Sequence, residues 1–201
     1  MTTTTGPIEV WVEYRQFYLA DPGLGTDPVP SAGAAQDGVL ATADDAALIL
    51  TGLHTGNVSV TVQPAHVDPD TAPGTWEHII EATFTSTTGT LVVHGYEDGP
   101  LEDLPNLTPH GPGTYHLRLH NRGRAHARAL DTTDPDDDSG EHYLLQTWPS
   151  PYDRLGARSV RSAYGGRALP DAHYRVIGGW VPGRGSLHGL PGALLLGDPD
   201  R

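Results

Sequence analysis

Cysteine and lysine are both absent from this chain of 201 residues, and methionine occurs once. Without cysteine there can be no disulfide, no thiolate metal site and no cysteine nucleophile. With no lysine, all twelve cationic side chains are Arg, which holds planar carboxylate and phosphate partners better than Lys does. Nowhere do enough consecutive apolar residues occur to span a bilayer, and Met1–Gly6 has neither a basic start nor an apolar stretch of signal-peptide length. The expectation is a soluble, cytoplasmic protein with no membrane partner. Motifs of chemistry are missing too. There is no Gly-x-Ser-x-Gly, phosphate loop or Rossmann glycine pattern, and neither His-x-His nor His-Glu-x-x-His occurs despite eleven His. The chain reads as non-enzymatic, with no cofactor and no metal.

Acidic charge is present in excess and unevenly placed. The net charge is -13; residues 1–150 hold 21 Asp plus Glu against 5 Arg, net -16, and residues 151–201 hold 4 against 7, net +3. The composition beyond Pro151 also shifts to Arg, Gly and Tyr. We therefore expect a domain over 1–150 and an irregular Arg/Gly-rich extension over 151–201. The apolar pieces Val176-Ile177 and Leu194–Leu196 predict partial docking of that extension.

Against this acidity, every second residue from His116 to Arg128 is basic: His116, Arg118, His120, Arg122, Arg124, His126 and Arg128. A period of two places alternate residues on one face of an extended chain, so the segment predicts a strand with a cationic outer side. Its counter-charges are expected among Glu9, Glu13, Glu77 and Glu81, also at alternate positions. Without interleaved aromatics, and with an acidic body around it, the row is not expected to bind nucleic acid directly.

Other apolar alternations mark further strands. Ile8, Val10, Val12 and Tyr14 share one parity while Phe17 and Leu19 take the other, which predicts a β-bulge near Arg15 and Gln16. Segments 38–42, 46–50 and 58–62 read as strands, residues 76–96 as a hairpin, and Glu141–Trp148 as the return partner of the basic strand. No stretch of ten or more residues has a helical period. Seven or eight short strands joined by Gly, Pro, Asp and Asn turns predict an all-β antiparallel sandwich, jelly-roll-like.

Between the last two strands, Asp134, Asp136, Asp137 and Asp138 lie in a segment resembling the start of a calcium loop. Its glycine is one place late, and Leu145 stands where a bidentate Glu is required. The segment reads instead as a solvated tip able to meet a basic partner. Candidate partner-binding residues are Asp134, Asp136, Asp137 and Asp138 with Arg118, Arg122 and Arg124.

The opening strand Val12-Glu13-Tyr14-Arg15-Gln16-Phe17-Tyr18-Leu19 resembles the Tyr-x-Gln-Phe strand of the ComJ family, competence protein J. Echoes in the same order are Gly38–Ala41, Trp76 before an apolar strand, and Gly113-Thr114-Tyr115-His116-Leu117, together spanning about residues 8–149. The resemblance implies a small β-rich inhibitor of a DNA nuclease that works by binding, without chemistry of its own. An acidic body suits a basic nuclease or toxin as protein partner, because opposite charge steers association. Two alternatives stay open. One is an assembly subunit whose Arg-rich tail docks on a neighbour. The other is a small-ligand or carbohydrate-binding sandwich lined by Trp11, Trp76, Trp148 and Trp180.

Overall fold

The computed structural model describes residues 4–25, 27–35 and 37–150, together with the backbone of four strands between 157 and 180. The chain order is β1 (Thr5–Val12), β2 (Gln16–Ala20), β3 (Leu40–Ala43), β4 (Ala46–Leu50), β5 (Gly56–Pro64), β6 (His78–Ser86), β7 (Val92–Gly95), β8 (Gly99–Pro100), β9 (Gly113–Arg122), α1 (Arg124–Leu130) and β10 (His142–Pro149). Four strands follow: β11 (Ala157–Tyr164), β12 (Arg167–Ala168), β13 (His173–Val176) and β14 (Gly179–Trp180). Ile177 and Leu194–Leu196, two of the pieces expected to dock, lie outside the described residues.

Two sheets stack face to face. The larger runs β1-β5-β10-β9-β6-β11-β13-β14, with β12 beside β11; the smaller runs β3-β4-β2-β7-β8. Among the described strands every pairing is antiparallel except β5–β10, which is parallel. The expected all-β sandwich class is therefore present. Between the sheets lie the residues that the period-two pattern assigns inward: Val10, Val12, Phe17, Leu19, Val58, Val60, Ile80, Phe84, Leu117 and Leu145. Both outer faces are covered in part. Val29 and Ala35, in the long β2–β3 connection, pack on Tyr18, Ala41 and Leu48 of the smaller sheet. Over the larger sheet, residues of the β5–β6 connection meet β9: Asp68 and Pro69 bond Arg118, and the Trp76 ring lies 5.2 Å from that of His120.

Three expectations about local structure are corrected. The phase change after Val12 is a two-residue turn, not a bulge: Glu13 and Gln16 bridge, and Tyr14 and Arg15 between them have φ of 52° and 62°. The chain leaves the larger sheet there and enters the smaller one, and the irregularity in β1 lies between Thr5 and Ile8. Residues 76–96 are not a hairpin, since β6 and β7 belong to different sheets. The basic strand ends at Arg122. Gly123 adopts φ 82°, and a Cβ there would stand 2.0 Å from the Gly140 carbonyl oxygen, so the ladder stops at a close backbone approach that only glycine permits. Arg124-Ala125-His126-Ala127-Arg128-Ala129-Leu130 then forms α1, because three alanines and two arginines favour a helix whatever their alternation.

Candidate functional site

One end of the sandwich gathers the β1–β2 turn, the 51–55 connection, α1 and the acidic segment before β10. A buried carboxylate fastens them. Glu141, fully buried, accepts hydrogen bonds from the backbone N–H groups of Gly52 at 2.8 Å and Leu53 at 2.9 Å and from the Tyr143 hydroxyl. Arg124 Nε stands 3.8 Å from the same carboxylate, and its Nη2 donates to the Gly38 carbonyl at 3.1 Å. Burial, reinforced by the neighbouring Glu141, holds the Tyr143 phenol well above its ordinary pKa. The connection is tight enough that a Cβ on Gly52 would come within 2.1 Å of the Arg124 carbonyl oxygen.

Arg15 fastens the same end from outside. Its guanidinium donates to the Gly52 carbonyl and pairs with Asp131, while its backbone N–H donates to the His54 carbonyl at 3.1 Å. From Asp131 onward the chain is laid along β5: Thr133 N–H donates to the Thr55 carbonyl at 3.0 Å, Asn57 Nδ2 to the Pro135 carbonyl at 2.7 Å, and Ser139 Oγ to the Asn57 carbonyl at 2.7 Å. These bonds leave Asp134, Asp136, Asp137 and Asp138 exposed at a pinned tip. Among the described residues, Asp138 is the one of these four whose carboxylate accepts a hydrogen bond, from Gly140 N–H at 2.7 Å.

Aromatic rings gather beside the Arg15–Asp131 pair. Tyr14, 62% exposed, stands 5.1 Å from the Tyr96 ring and 5.8 Å from that of His54, with Trp11 Nε1 donating to Glu13 at 3.4 Å alongside. The turn that presents Tyr14 has positive φ at both central residues, the pattern that normally selects Asn-Gly or Asp-Gly. A left-handed conformation costs an ordinary L residue roughly 1–2 kcal/mol. Pattern reading missed this cluster; its signal was the phase change at Tyr14 itself.

The three candidate arginines fall in different places. Arg118 is buried on the outer face of the larger sheet, where it bonds Glu81, Asp68 at 2.9 Å, the Pro69 carbonyl at 2.6 Å and Gln146 at 3.4 Å, with its guanidinium 4.7 Å from the Trp148 ring. The Glu81–Arg118 pair is cross-strand, as alternate opposite charges predict. Arg122 is exposed, 5.5 Å over the Trp76 ring, and Arg124 is the internal tie described above. None of Trp11, Trp76 and Trp148 belongs to the core between the sheets. Trp76 and Trp148 instead cover the basic row, Trp148 stacking 5.0 Å from His116. His120 beneath Trp76 is fully buried, and burial, with Arg118 adding to it, pushes its pKa down to about 4.

No family model and no curated protein matches the chain. Solved structures do resemble it. It is similar to ComJ of Bacillus subtilis, described as an inhibitor of the DNA-degrading activity of NucA, at TM-score 0.48 and 16% identity, with 75% of this chain and 99% of that one covered. It is similar also to the crocagin biosynthetic gene J product, at TM-score 0.46 and 10% identity over the same shares of the two chains. Among the described residues no helix is long and apolar enough to cross a membrane, and no three His, Asp or Glu converge as a metal-ligand set.

Proposed function

We propose that this protein is a binding module of the inhibitor or immunity kind, which meets a basic protein partner through the acidic end of its sandwich and performs no chemistry of its own. The observation that carries the reading is the placement of charge. Residues 4–150 contain the whole -16, and Asp134, Asp136, Asp137 and Asp138 stand exposed on a segment held in place by backbone bonds to β5. A pinned loop gives up little conformational entropy on binding, and clustered carboxylates raise the encounter rate with a cation-rich surface. Arg118 and Arg124 are internal ties in this reading. The buried carboxylate of Glu141 is engaged by backbone and by Tyr143, which suits a fastener. A basic nuclease is the partner class that the resemblance of the opening strand implies.

The test begins with affinity capture from the native cell and proceeds to kinetics with the purified partner. Replacing Asp134, Asp136, Asp137 and Asp138 together by Asn is expected to slow association roughly tenfold at low salt and to flatten its salt dependence. Association that is equally fast in the variant at low ionic strength would remove this loop from the interface.

A further inference from the structure

We infer that Tyr14 is the anchor of the interface and that what it takes is an arginine side chain of the partner, held over the Tyr14 and Tyr96 rings within an acidic rim. The inference rests on the reading of this end as the partner-binding face. Two features point to it. Tyr14 is the one exposed Tyr, Phe or Trp among the described residues, at 62%, yet its ring packs against those of Tyr96 and His54. Its backbone is left-handed at a turn position where glycine or asparagine would fit without strain, so a bulky ring is kept there against the local preference of the chain. Such outliers collect at functional sites, where the surrounding structure over-determines them; here that structure is the Arg15 tie to Gly52 and Asp131.

The chemistry of the surroundings selects the guest. Glu13 precedes the ring in the turn, Glu97 and Asp98 follow Tyr96, and Asp131 is the residue Arg15 holds. The one cation at the turn, Arg15, is already paired with Asp131. A ring pair whose immediate chain neighbours are acidic favours a cation, and a guanidinium can stack flat on a ring while donating to a carboxylate, which a compact ammonium does less well. Tyrosine on a rigid turn is also a preferred centre of binding energy, because it has few rotamers to freeze. The acidic loop would then supply steering and the aromatic turn selectivity.

Short peptides of alternating Arg and Gly, and the same peptides with Lys in place of Arg, test this on the full-length protein by titration calorimetry at low salt. The wild type is expected to bind the Arg peptide roughly three- to tenfold more tightly than the Lys peptide. Tyr14→Asn, which the left-handed turn accommodates, should bring the two affinities together; Tyr14→Gly is the second variant with the same expectation. The fourfold Asp→Asn variant should weaken both peptides while keeping their ratio. No binding of either peptide, equal affinities in the wild type, or a ratio untouched by both Tyr14 variants would overturn the anchor. So would Tyr14-dependent self-association in light scattering, which would make a second copy the occupant. A fourfold variant that binds like the wild type while the Tyr14 variants lose the ratio would leave the anchor standing and remove the acidic loop.

Discussion

Glu141→Ala is expected to cost the domain about 3–5 kcal/mol, the usual range when one partner of a buried ionic network is removed. The loss has three parts. The N–H groups of Gly52 and Leu53 lose their acceptor in a place that water does not reach, because Glu141 is fully buried. The Tyr143 hydroxyl loses its carboxylate partner, and half-buried Arg124 loses its nearest negative charge. Domains of this size are stable by only about 5–15 kcal/mol, so the variant would lose a large share of its stability. Glu141→Gln should lose less, about 1–3 kcal/mol, since one oxygen remains while the new amide sets N–H against N–H on Gly52 or Leu53. Equilibrium urea unfolding decides the matter; an Ala variant with the wild-type midpoint and slope would show that this network contributes no net stability.

Acid should unfold the protein in part through His120. The unfolded imidazole takes up its proton near its ordinary pKa of about 6.5. In the folded state burial, helped by Arg118, delays protonation to about 4. Between these values the unfolded chain holds a proton that the folded one lacks, so stability rises with pH across the window and falls on acidification. The effect reaches about 3 kcal/mol once pH drops below the folded value. Burial lowers His94 and His116 as well, so both act in the same direction. His120→Leu puts an apolar side chain between its cross-strand neighbours Ile79 and Leu144. It should remove about 2 kcal/mol of the stability difference between pH 7 and pH 5. Parallel losses in the two proteins over that interval would mean that His120 titrates alike folded and unfolded.

Much of the fold was legible in the chain because period two reports which way a side chain faces. Val58, Val60 and Val62 turn inward as their alternation requires, and Glu81 meets Arg118 because both occupy outward positions of neighbouring strands. Periodicity says nothing about which strand lies beside which. The division of β6 and β7 between sheets and the parallel β5–β10 pair could not be read that way. The false extension of the basic strand to Arg128 has a different origin: alanine between cations satisfies a two-residue repeat and a helix equally, and the arbiter was the left-handed Gly123. Within the site, the four aspartates were visible as a run of charge. Glu141 was not, since a lone acid ahead of an apolar strand carries no pattern, and its role depends on Gly52 and Leu53, which come together with it only in the folded chain.

The position of β10 has a consequence for how the molecule is made. This strand is the last of the described core in chain order, yet it lies between β5 and β9 in the middle of the larger sheet. Until a ribosome has released residues 142–149, β1 with β5 and β9 with β6 are two separate pairs, each with an edge exposing unpaired backbone groups. Insertion of one late segment joins them, bringing together partners as distant in sequence as Ser59 and His142. Folding of this protein should thus be slow for its size, and a chain cut short before His142 should be prone to aggregate through those two open margins.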